Sequence, residues 1–149
     1  MQYRRLTAIS CILLCLIAQG SEKRFSEVSR IDVAAHSGNE GSVEVFMTIS
    51  GEDLMLSICK EILTSQEHSS ARVILEPGPV LILKNKQEKI EAVYQVGLDG
   101  TLEERTAIKK GAVYKIDDRT EDPRKKPLKI KENGSITHIM SLWYKANGK

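Results

Sequence analysis

The stretch SVEVFMTISGEDLMLSICKEILTSQEHSSARVILEPGPVLILK, residues 42–84, decides the fold. Val43, Val45, Met47 and Ile49 alternate with Glu44, Phe46, Thr48 and Ser50, the period-two pattern of a strand with one face on a core. The pattern then changes. Leu54, Met55, Ile58, Cys59, Ile62 and Leu63 fall on one face at helical spacing, while Ser57, Lys60, Glu61 and Thr64 fall on the other. Ser50 and Asp53 have the spacing of a capping box, and Glu52 and Asp53 favour the positive start of a helix, which should end between Ser65 and His68. Arg72 to Glu76 and Val80 to Lys84 are short, nearly continuous apolar runs, as strands near the middle of a sheet are. Pro77-Gly78-Pro79 between them reads as a turn or a kink.

Working outward, Ile31, Val33 and Ala35 predict a strand forming a hairpin with the one that starts at Val43. After a turn at Asn85 to Glu88, Ile90, Ala92, Tyr94 and Val96 predict another strand. Asp99-Gly100 marks the next turn, followed by strands over Thr101 to Ala107 and Ala112 to Ile116. Asp117 to Asn133 carries Pro123 and Pro127 and reads as a long charged loop. Ile136, His138, Met140 and Leu142 alternate with Thr137, Ile139, Ser141 and Trp143, which predicts a closing strand with His138 as a sheet histidine. The expected fold class is α+β: a mainly antiparallel sheet of about five to seven strands with one amphipathic helix packed on one face, after an N-terminal signal peptide.

Residues 1–20 have a signal-peptide layout, with Arg4 and Arg5 ahead of the mostly apolar run Leu6 to Ala18 and small residues at Ala18 and Gly20. The run is too short for a comfortable membrane span. The expected organisation is a leader over 1–20 and a single domain over 21–149, in a protein exported to the periplasm, cell envelope or medium. An uncleaved anchor is the alternative. Lipid attachment fits less well, because bulky Leu14 precedes Cys15 and little apolar sequence precedes Cys11. Cleavage would leave Cys59 alone, on the apolar helix face, as a small buried hydrophobe with no cysteine to pair with in its own chain.

Formal charge is divided unevenly: residues 21–104 sum to −7 and residues 105–149 to +7. The densest run holds Arg124, Lys125, Lys126, Lys129 and Lys131. These residues, with Trp143, are the candidate binding surface for a protein or an anionic envelope partner. Nucleic acid is disfavoured by the balanced charge of the chain after the leader and by export.

No phosphate-cradling glycine loop, nucleophile elbow or metal-ligand spacing is present, so neither catalytic residues nor a cofactor or metal is expected. His36, His68 and His138 lie far apart in sequence. Adjacent carboxylates such as Glu103 and Glu104 would point to opposite faces of a strand. The leading functional reading is a non-enzymatic binding module of the envelope or extracellular space. The alternatives are a small hydrolase whose acid and histidine are assembled by the fold, and a structural envelope protein. Asn133-Gly134-Ser135 matches a glycosylation acceptor, relevant in a eukaryotic source.

Overall fold

The computed structural model describes residues 23–38, 41–67, 77–117 and 126–147. The expected leader over 1–20, the expected strand at Arg72 to Glu76, and His68, Arg124 and Lys125 lie outside the described residues.

After a short 3-10 turn at Lys23–Phe25 come strands β1 (Val28–His36) and β2 (Ser42–Ile49), then helix α1 (Glu52–Thr64). Strands β3 (Pro77–Asn85), β4 (Ile90–Gly97), β5 (Thr101–Lys110), β6 (Val113–Asp117) and β7 (Leu128–Lys129) follow, and helix α2 (Ser135–Ala146) comes last. The fold is α+β, with a seven-stranded sheet whose pairings are all antiparallel.

The strand order β4-β3-β1-β2-β6-β5 has an additional β4–β5 pairing, so six strands close into a ring, and β7 adds to the start of β5. Closure has a direct consequence for side chains. One face of every strand turns into the barrel, where Ala34, Val43, Val80, Ile82, Val93, Ala107, Tyr114 and Ile116 pack together. The opposite face of β1 to β4 carries Ile31, Val33, Ile49, Leu81, Leu83 and Tyr94 and is covered by Met55, Ile58 and Ile62 of α1 and Ile136 and Ile139 of α2. Strand β3 is therefore buried on both faces, which is why Val80 to Leu83 read as a continuous apolar run.

Four expectations are corrected. The segment from Ile136 to Tyr144 is helical: Ile136 and Ile139, three apart, are its buried residues, and His138 is exposed on the helix. The protein thus has two helices on the sheet, where one was expected. Pro77-Gly78-Pro79 is the beginning of β3 and makes no turn there. Pro77 opens the strand, the pairing with β4 is irregular between Pro77 and Val80, and Gly78 has no Cβ because one would stand 3.0 Å from the Val96 carbonyl oxygen. The capping box does not form either: Gly51 is the N-cap of α1, with no side-chain cap bond, and only Glu52 and Asp53 support the helix start. Finally, part of the expected loop at 117–133 is strand β7, and Pro127 and Ile130 beside it are buried.

Candidate functional site

Two sets of charges stand out, and they behave differently. The first lies at one end of the barrel. Asp32 and Lys84, 4% and 2% exposed, point to the inner face. Lys84 Nζ lies 3.1 Å from Asp32 Oδ2 and 4.7 Å above the Tyr114 ring. Thr48 donates to Asp32 Oδ1 at 3.1 Å, and Arg30 Nε pairs with the same oxygen at 3.1 Å. Glu88, at φ 64° in the β3–β4 turn, accepts from both Arg30 Nη1 and Nη2, the first at 2.7 Å. Burial pulls the Lys84 ammonium down, but the hydrogen bonds it donates to Tyr114 and Asp32, with their charges, outweigh that and hold the pKa above the usual lysine value. The hydrogen bond from Arg30 holds the Glu88 carboxyl below the usual glutamate value. Each charge here is answered by another within the fold, so the cluster fastens β1, β2, β3 and the β3–β4 turn together.

The second set is the basic segment. Pro127 and Ile130 turn inward, while Lys126, Lys129 and Lys131 are exposed. The backbone fixes this segment: Lys129 N–H donates to Gln66 O at 2.8 Å beyond α1, and Ile130 N–H donates to Gly100 O at 2.9 Å before β5. Between the end of α1 and this segment lies a groove of about 300 Å³, lined among others by Glu61, Thr64, Gln66, Lys129, Lys131 and Glu132. None of Lys126, Lys129 and Lys131 forms an ion pair with another described residue.

Glu61 forms the floor of this region. It is only 7% exposed, and its Oε2 accepts the Ile136 N–H at 3.2 Å, so a side chain of α1 caps the positive start of α2. Gly134 makes room for it, since a Cβ there would stand 2.5 Å from Glu61 Oε1. Ser57 and Ser135 add a hydroxyl contact of 2.6 Å between the same helices.

Of the sequence-predicted site residues, Lys129 and Lys131 share the groove wall and Lys126 precedes it on the exposed side of the segment. Trp143 lies eight residues along α2 from Ser135, roughly 12 Å at 1.5 Å per residue, and does not line the groove. It is half-buried, with its ring edge-on to Tyr144 at 5.2 Å, and as a helical residue it lies one turn from Met140 instead of on the opposite face. Among the groove residues that sequence reading missed is Glu61. Its signal was available: a glutamate between Ile58 and Ile62 on the boundary of the apolar face.

Of the three histidines, His36 and His138 are described, and they lie in different settings. His36 Nε2 contacts Gln95 Oε1 at 2.8 Å, and His138 is exposed on α2. Neither pairs with a carboxylate among the described residues. No group of three or more His, Cys, Asp or Glu among them is placed to hold a metal ion. Cys59 is buried, and burial pushes its thiol up to about 11. Comparison with family models, curated proteins and solved structures finds no match for the chain.

Proposed function

We propose that the protein is a small exported, non-enzymatic binding module that receives an acidic segment of a partner protein at the groove between α1 and β7. The observation carrying this reading is the contrast in ion pairing: the charges at the barrel end answer one another, whereas Lys126, Lys129 and Lys131 stand outward on a segment pinned by backbone bonds. A rigid row of exposed ammonium groups beside a groove favours carboxylates and raises their rate of encounter. Glu61 and Glu132 on the same wall give the groove mixed polarity, so an acidic stretch bearing hydrogen-bond donors fits better than a uniformly anionic one.

The test is fluorescence anisotropy with a labelled Glu-rich peptide and its Gln-rich counterpart, using a chain from Ser21. The acidic peptide should bind, and replacing Arg124, Lys125, Lys126, Lys129 and Lys131 by Gln should weaken it at least tenfold. Equal affinity of the two chains, or of the two peptides, contradicts the proposal.

A further inference from the structure

The charge of the C-terminal third is not confined to the groove. Strand β5 runs from β7 at Thr101 to a hairpin with β6 that turns at Gly111 and Ala112, so the hairpin end stands roughly 30 Å from the groove segment at about 3.3 Å per strand residue. Pairing of β5 with β4 ends at Arg105, and pairing of β6 with β2 ends at Val43 and Tyr114. Past Arg105, among the described residues, β5 pairs with β6 alone, with Ile108 opposite Lys115, Lys109 opposite Tyr114 and Lys110 opposite Val113, whereas β6 still pairs with β2 at Lys115 and Tyr114 and only Val113 lies past it.

The two faces of this ribbon differ. Tyr114 turns inward beneath Lys84. Ile108, Lys110, Val113 and Lys115 share the outward face by alternation and register. Ile108 is 66% exposed, the most exposed of the large apolar side chains described. Lys109, Lys110 and Lys115 are exposed too, and none makes an ion pair with a described residue.

We infer that the end of the β5–β6 hairpin docks on an anionic phospholipid surface. Its layout matches the chemistry of that interface: the exposed Ile108 side chain, near the hairpin turn on the open edge of β5, enters the acyl boundary while neighbouring ammonium groups remain among the phosphates on flexible stems. A protein partner would favour the reverse arrangement, because protein interfaces exclude charge from their centre. This surface does not depend on the groove and leaves it open, so a molecule docked by the hairpin presents its opposite end to a soluble partner.

The test is co-sedimentation of the chain from Ser21, which retains every described element and lacks the apolar leader, with vesicles of phosphatidylglycerol and phosphatidylcholine or of phosphatidylcholine alone. Binding is expected to the anionic vesicles only and to weaken with salt. Substituting Lys109, Lys110 and Lys115 by Gln should weaken it about 100-fold, near fivefold per lysine, and Ile108→Ser about tenfold. Lys126, Lys129 and Lys131 to Gln should change it far less, which separates this surface from the groove. Equal binding to both vesicle types, no binding to either, or a greater loss from the groove substitutions than from the hairpin ones overturns the inference. Circular dichroism of the variants confirms that each remains folded.

Discussion

The barrel end and the groove segment hold similar numbers of charged side chains and use them in opposite ways. At the barrel end, buried Asp32 and Lys84 satisfy each other, and the more exposed Arg30 and Glu88 complete the cluster from its rim. On the groove segment, Lys126, Lys129 and Lys131 alternate outward from buried Pro127 and Ile130. The difference teaches how to separate structural from functional charge: a buried ion must be answered inside the fold, whereas an exposed and unanswered one can serve a partner at little cost to stability.

The sharpest way to break this contrast is at Asp32. Asp32→Ala takes the nearer, buried carboxylate from the Lys84 ammonium, leaving only exposed Glu88 at 3.5 Å, and should destabilise the protein by about 3–5 kcal/mol in urea unfolding. A double replacement, Asp32→Leu with Lys84→Met, should recover much of that loss, because the deficit comes from an orphaned charge. If the double variant is as unstable as the single one, the cluster does more than neutralise itself.

The outer layer supplies the apolar reference. Ile139→Ala, in the contact between α2 and the sheet, should cost roughly 2–5 kcal/mol in the same experiment. Alkali should act next. The folded state holds the Cys59 proton up to about 11 and the Tyr94 proton up to about 12, both above their ordinary values, so stability is full below pH 9 and declines as pH rises through those values. The thiol alone accounts for about 2–3 kcal/mol, and Cys59→Ala should flatten the first part of the decline. In acid the sign reverses: the pKa of Glu88 is depressed, so its contribution is present above 4.5 and disappears as pH falls through its folded value.

A smaller loss, about 1–2 kcal/mol, is expected for Glu61→Ala, which leaves the Ile136 N–H at the start of α2 without its acceptor. Amide hydrogen exchange should show it as faster exchange confined to the first turn of α2. Protection unchanged there would mean that another group caps the helix.

How much of this was legible in the sequence follows from how local each signal is. The β1–β2 hairpin, α1 and the β3–β4–β5 succession rest on neighbours within a few residues, and they stand where alternation and helical spacing placed them. Helix α2 was misread because Ile136, His138, Met140 and Leu142 alternate, while the same segment also carries the helical spacing of three between Ile136 and Ile139. Pro77-Gly78-Pro79 has turn chemistry, yet the close approach of Val96 uses the glycine for space instead. The β4–β5 hairpin was marked by Asp99-Gly100, but barrel closure also needs β1 beside β3 and β2 beside β6, relations that no local pattern encodes. For the same reason the sequence does not show that Asp32 and Lys84 meet. In the groove, the basic residues were legible as charge, but the buried Pro127 and Ile130 that aim Lys129 and Lys131 were hidden in what read as loop.

The central claim, that buried charges hold this fold and exposed ones serve partners, is tested most directly by one paired measurement. The chain carrying Lys126→Gln, Lys129→Gln and Lys131→Gln is titrated with the acidic peptide and unfolded in urea beside the parent. The account predicts that affinity falls at least tenfold while stability stays within about 0.5 kcal/mol. Unchanged affinity, or a loss of stability comparable to that of Asp32→Ala, would contradict it.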